Sequence, residues 1–221
     1  MWCIPKVTPE FVERMEDVLG CYALPYNANE PLLCFDEKSK ELHKETRAIK
    51  QTKEGKVRRR DYEYKRNGTR NIFMTVEPKG GYREATVTKR RTRIDFAAEI
   101  KRIVESPRYR NAALIHIVLD NLNTHNEQSL INAFGKEGSA ALMRRIKFHH
   151  TPKHASWLNM AEIELSVMEG QCTKGRIGDA SLLEKKLNAW QEMRNEAGAM
   201  INWTFTCMEA REKFKIKTEL S

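Results

Sequence analysis

Apolar residues in this chain fall into short runs separated by long polar stretches, and the runs set the expected architecture. Leu114 to Leu119 is rich in Ile, Val and Leu, the composition of a buried strand, although periodicity alone leaves a helix open. The run ends on Asp120 and is followed by the polar residues Asn121 to His125. Upstream, Pro31-Leu32-Leu33-Cys34-Phe35 repeats the pattern and ends on Asp36. In an open α/β sheet, reacting groups collect in the crevice at the carboxyl ends of the strands. One strand-end Asp reads equally as a turn residue or a helix cap, but two in one small domain point to a divalent-metal site.

Other elements follow from periodicity and punctuation. Thr8-Pro9 is a helix start, with Phe11, Met15, Val18 and Leu19 on one face, so residues 1–25 form a lead-in that docks on the body. The polar segment from about 38 to 60 carries ten Lys or Arg against three Glu and has no apolar period, which predicts a basic loop. Asn71–Glu77 and Tyr82–Thr88 flank Pro78-Lys79-Gly80-Gly81 as a hairpin. Phe96, Ala97, Ile100, Ile103 and Val104 repeat at helical spacing. Capping boxes are expected at Thr124-x-x-Glu127 and Ser181-x-x-Glu184. Between them lie a Gly-bounded helix around Ala140–Met143, a short strand at Ile146–His149 and a helix opening near Trp157. Trp203 and Phe205 anchor a partly helical tail.

Composition narrows the functional class. The 221 residues carry 39 Lys+Arg against 30 Asp+Glu, a net charge of +9, and 40% apolar residues suffice for a core. A basic chain of this kind binds polyanions, nucleic acid above all. The five cysteines are scattered without CxxC spacing, which argues against a disulfide framework or a zinc site and for a reducing compartment. No apolar run approaches membrane-spanning length, so the expected location is the cytoplasm.

Magnesium takes carboxylate oxygens and keeps several waters, so a site needs few protein ligands. A third carboxylate is wanted beside Asp36 and Asp120. Glu162 and Glu164 lie roughly 200° apart around a helix, so only one can face the pair. Asn159-x-x-Glu162 is also a capping box, which would account for Glu162 without any metal. His149 and His150 are adjacent, point to opposite faces of a strand, and so make no paired metal site.

Three stretches in series carry a resemblance. Phe35-Asp36-Glu37-Lys38-Ser39, Leu119-Asp120-Asn121-Leu122-Asn123-Thr124-His125, and Thr151-Pro152-Lys153-His154-Ala155-Ser156-Trp157-Leu158-Asn159-Met160-Ala161-Glu162-Ile163-Glu164 together resemble DDE-type transposases of bacterial insertion sequences, in the branch related to mariner elements. Asp61 to Thr69 resembles that group too. The resemblance implies an α/β, ribonuclease-H-like mixed five-stranded sheet flanked by helices, occupying residues 26–221. It also implies that Asp36, Asp120 and Glu162 hold Mg²⁺ or Mn²⁺ and that the enzyme cuts DNA at element ends and joins the 3′ ends to target DNA.

The expected partners are double-stranded DNA (terminal inverted repeats and target), a second copy of the chain, and a separate N-terminal helix-turn-helix polypeptide of the kind that full-length relatives carry. Candidate DNA contacts are Lys38, Lys40, Arg58, Arg59, Arg60, Lys89, Arg90, Arg91, Asn121, His125, Lys153 and His154. Asn121 and His125 read equally as phosphate contacts, as supports for a metal ligand or as loop-shaping residues, and Trp157 reads as a structural anchor. Two rivals stay open: a nuclease on the same fold that cuts without joining, and an inactive DNA-binding or dimerising remnant that acts as a regulator.

Overall fold

A computed structural model describes residues 6–47 and 62–216. Five strands form one sheet: β1 (Leu32–Glu45), β2 (Tyr64–Glu77), β3 (Tyr82–Thr88), β4 (Ile115–Leu119) and β5 (Ile146–His150). Their order is β3-β2-β1-β4-β5. β1, β2 and β3 run antiparallel, whereas β4 lies parallel to both β1 and β5. The helices are α1 (Pro9–Ala23), α2 (Arg93–Glu105), α3 (Glu127–Met143), α4 (Met160–Met168), α5 (Ala180–Glu196) and α6 (Cys207–Lys213).

The sheet is buried on both faces. On one side α2 and α3 cover Leu33, Phe35, Phe73, Ile115, Ile117 and Leu119. On the other, α1 and the start of α4 pack on Cys34, Val76 and Val118, with Trp157, Trp203, Phe205 and Phe214 closing the end. A third cluster joins α4 and α5 to Leu42, Ile72, Met74 and Ala85. Residues 32–35 and 115–119 are therefore apolar nearly throughout, because alternate side chains meet helices on opposite faces.

Several boundaries differ from the sequence expectation. The basic segment is not a loop from residue 38, because β1 continues to Glu45 and pairs with β2 beyond the reach of β4. Ser39 pairs with Asn71 and Glu41 with Thr69 before an irregularity at Leu42. In this extension Leu42 alone is an apolar anchor and the ladder satisfies the backbone, so no hydrophobic alternation is needed. The rest of the expected loop, including Arg58, Arg59 and Arg60, lies outside the described residues.

The caps also shift. Asn126, not Thr124, caps α3 by accepting from Ser129 N, and Asp179, not Ser181, caps α5 by accepting from Leu182 N. Thr92 forms a reciprocal capping box with Asp95 at the start of α2. The two helices expected after Asn126 are both present within α3, parted at Gly135, whose φ of 74° and ψ of 174° are non-helical and open to glycine. The hairpin turn is as expected, and Gly81 (φ +62°) presses so close to the Gly198 carbonyl that a Cβ would sit 2.7 Å from its oxygen.

α4 settles which way its two glutamates face. Glu164 is fully buried and accepts from Arg83 Nε at 3.0 Å and from Arg194 Nε at 2.8 Å. Removing one partner of such a cluster leaves buried charge uncompensated. Glu164→Ala is therefore expected to lower stability by about 3–5 kcal/mol in urea unfolding, and an unchanged midpoint would contradict the cluster.

Candidate active site

Parallel pairing of β1 with β4 matches Leu32 with His116, Leu33 with Ile117 and Cys34 with Val118. Two residues further along each chain stand Asp36, within β1, and Asp120, just past the end of β4, so the two carboxylates stand level on adjacent central strands. Glu162 lies in the first turn of α4, and its charge bears on Asp36. Asn159, fully buried at the helix N-cap, donates through Nδ2 to the Phe35 carbonyl at 2.9 Å and accepts from Ala161 N at 3.1 Å. The first turn of α4 is thereby bonded to the residue before Asp36. Asn159 caps through its own side chain without a reciprocal bond from Glu162, so capping does not account for that glutamate.

Asp36 is buried, and its carboxyl is pushed up from 3.8 to about 7, chiefly by desolvation and further by the charges of Asp120, Glu37 and Glu162. Its Oδ1 accepts from Glu37 N at 2.7 Å, which pulls the other way. Carboxylate oxygens of this kind fit a hard divalent cation, whose charge would offset the burial of Asp36. The trio is loosely gathered, however. Among the described residues the one group of three whose ligand atoms all lie within 4.8 Å is a Cys/His set elsewhere.

Asp120 is held by His125. The imidazole Nδ1 donates to Asp120 Oδ1 at 2.5 Å, while Nε2 stands 3.1 Å from Glu37 Oε2. The ring is 1% exposed, packed against Phe35 and Phe96. Burial works against its charge, but the hydrogen bonds to the two carboxylates win and raise its pKa to about 9. Both nitrogens are engaged and the ring is covered, so the expected phosphate contact at His125 is corrected to support of Asp120. Glu37 was not anticipated from the sequence; its parity with Phe35 along the strand was the available signal.

The remaining candidate contacts are scattered around this end of the sheet. Lys153 and His154 are exposed and line a cleft with Asp120, Asn121, Pro152 and Ser156. His154 holds a left-handed backbone (φ 61°), a conformation uncommon outside glycine. Lys89, Arg90 and Arg91 are exposed, and Arg91 reaches to 3.6 Å from Glu37. Lys38 is engaged in an ion pair with Glu169, and Lys40 is half-buried on β1. Trp157 is an anchor, packed on Trp203, Phe205 and Phe214.

Comparison with known proteins bears on the family and the fold. A family model described as DDE superfamily endonuclease matches residues 31–184, a span that includes Asp36, Asp120 and Glu162. No curated protein sequence matches. Among solved structures, a pre-cleavage Mos1 transpososome is similar with a TM-score of 0.55 at 12% identity, covering 97% of this chain and 64% of that one. The Mos1 mariner paired-end complex with Mn gives 0.53 at 13% identity over 97% and 63%, and the Mos1 strand transfer complex 0.53 at 12% over 97% and 62%. At these identities the likeness is one of fold, a ribonuclease-H-like mixed sheet. The chain spans less than two thirds of the length of the proteins it matches.

The His125 clamp carries a pH signature. Its folded pKa of about 9 lies above the ordinary 6.5, so its stabilisation is full below pH 6.5 and is lost as pH rises through 9. The stability gap between wild type and His125→Asn should be larger at pH 6 than at pH 9.5 by on the order of 2–3 kcal/mol. A gap that does not change with pH would show that the ring is neutral.

Proposed function

We propose that this chain, which belongs to the DDE superfamily of endonucleases, is the catalytic part of a mariner-related transposase that cuts DNA at the ends of an insertion sequence and joins the 3′ ends to target DNA. The observation that carries the reading is the parallel pairing that sets Asp36 and Asp120 level on neighbouring strands, with α4 bonded to β1 through Asn159, inside the span of the family match. Related folds solved as paired-end and strand transfer complexes support the DNA substrate and the joining step.

Asp36, Asp120 and Glu162 are the residues that would hold Mg²⁺ or Mn²⁺. A divalent ion at such a site activates the attacking oxygen and stabilises the leaving one in an in-line phosphoryl displacement. The chain supplies the scaffold for this. Asn159 fixes Glu162 against β1, and His125 holds Asp120 by one oxygen so that the other stays presented. Lys153, His154 and Asn121 would contact phosphates beside Asp120, while Lys89, Arg90 and Arg91 would guide the duplex from the opposite side of Glu37. Such contacts position DNA without reading its sequence. Recognition of the terminal repeats is assigned to a helix-turn-helix region on a separate polypeptide, and synapsis of two ends to a second copy of this chain. Among the described residues no helix is long and apolar enough to cross a membrane, consistent with work on DNA in the cytoplasm.

The test is incubation of the purified chain with pre-nicked element-end DNA, a target plasmid and Mg²⁺ or Mn²⁺. Wild type should yield joined products. Asp36→Asn, Asp120→Asn and Glu162→Gln, checked for folding by circular dichroism, should each lose roughly a thousandfold, the value of several kcal/mol of charge stabilisation. Cutting without joining would reassign the chain as a nuclease, and equal behaviour of wild type and variants would leave a DNA-binding remnant. DNA affinity should fall steeply with salt, because phosphate contacts release counterions.

A further inference from the structure

We infer that a second metal site, of soft donors and independent of the carboxylates, staples α1 to the β4–β5 edge through Cys21, His116 and His149. No short-range spacing marks these residues in the sequence, since they come from a helix and two strands. In the fold their ligand atoms all lie within 4.8 Å of one another. Cys21 Sγ is 3.4 Å from His149 Nδ1 and 3.6 Å from Nε2, and His149 Nε2 is 2.9 Å from His116 Nδ1. Cys21 and His149 are buried and His116 is half-buried.

The bond from His149 Nδ1 to Asp17 leaves Nε2 as the nitrogen to bind metal, although Cys21 Sγ stands as near to Nδ1 and the thiol must swing toward Nε2. Zn–N bonds of about 2.0–2.1 Å and a Zn–S bond of about 2.3 Å place tetrahedral N···N and N···S edges at about 3.4 and 3.6 Å. The Cys21–His149 Nε2 separation already matches in length, and the two imidazoles need to part by roughly half an ångström. With Nε2 of His149 turned to the metal, its Nδ1 donates to Asp17 Oδ2 at 2.7 Å. A carboxylate on the far nitrogen is the usual partner of a metal-bound histidine, fixing its tautomer and raising its basicity. Asp17 stands one helical turn before Cys21 on α1, so one helix face supplies both a ligand and the support for another.

A hollow lined by Cys21, His116, Tyr26, Asn27, Glu30 and Lys79 adjoins two of the three ligands, where a water would complete the set. Thiolate with two imidazoles selects Zn²⁺ over Mg²⁺ or Mn²⁺. The set is therefore chemically separate from Asp36, Asp120 and Glu162, and its test does not depend on their role.

Co²⁺ is the spectroscopic probe, used on the full chain after chelator treatment. One equivalent should bind, with a thiolate-to-cobalt charge-transfer band and the visible bands of a tetrahedral ion, in the presence of excess Mg²⁺. The charge-transfer band should vanish in Cys21→Ser and persist in Cys207→Ser, which removes a half-buried thiol outside the set. Asp17→Asn should keep the band and weaken affinity about 10–100-fold. Because Cys21 is buried and its variant can fail to fold, His116→Gln on the half-buried strand position is the second arm; it should weaken binding while circular dichroism stays native. Zn²⁺ at a hundredfold excess over Kd should raise the wild-type Tm by roughly 5–10 °C. No charge-transfer band, a band that survives Cys21→Ser, or an unchanged Tm would overturn the proposal and leave Asp17, His149 and His116 as a hydrogen-bonded chain only.

Discussion

Three parallel residue pairs between β1 and β4, from Leu32–His116 to Cys34–Val118, are the constraint on which the rest of the molecule depends. Asp36 and Asp120 are 84 positions apart in sequence, and only parallel alignment of adjacent strands delivers both to one end of the sheet. A one-residue slip in that register would turn a carboxylate to the opposite face. The slip is resisted because both strands are buried on both sides. Leu33, Ile117 and Leu119 meet α2 and α3, while Cys34 and Val118 meet α1 and α4. The core thus specifies the proposed active site without contributing a single reacting atom.

The third carboxylate is placed by polar bonds inside that core. Asn159 couples the N-terminus of α4 to the Phe35 carbonyl, one residue before Asp36, and Tyr22 Oη donates to the Leu158 carbonyl at 2.6 Å from α1. Glu164, two residues beyond Glu162, anchors the other face of the helix between Arg83 and Arg194. A helix gripped on both faces cannot rotate, so Glu162 is oriented by its neighbour as much as by its cap. Glutamates two positions apart thus differ in setting, Glu164 paired in the interior and Glu162 half-buried in the first turn of α4.

What the sequence made legible was the part written in apolar runs and motif spacing. The apolar runs leading to Asp36 and Asp120, the hairpin and the α2 stripe are local patterns, although β1 runs on past Asp36 to Glu45. The length of β1 was hidden because its extension is held by backbone pairing and by Leu42 alone, with polar side chains that read as a loop. The caps at Asn126 and Asp179 were missed because better-looking Ser/Thr-x-x-Glu patterns stand beside them. The His125–Glu37 contact and the Cys21–His116–His149 group were out of reach for another reason. Each joins residues from separate elements, and no periodicity records which side chains a tertiary fold will bring face to face.

Charge balance explains why such a site can exist in a folded protein. Moving the Asp36 carboxyl from 3.8 to about 7 corresponds to ionisation disfavoured by on the order of 4 kcal/mol, a large fraction of the stability of a single domain. His125 places a cationic imidazole between Asp120 and Glu37, and Arg91 adds a partly exposed cation to Glu37. His125 thus serves the carboxylates that flank Asp36, while Asp36 itself stays raised chiefly by burial, with the neighbouring charges adding to it. A divalent cation held there would offset that burial by setting opposite charge against the carboxylate.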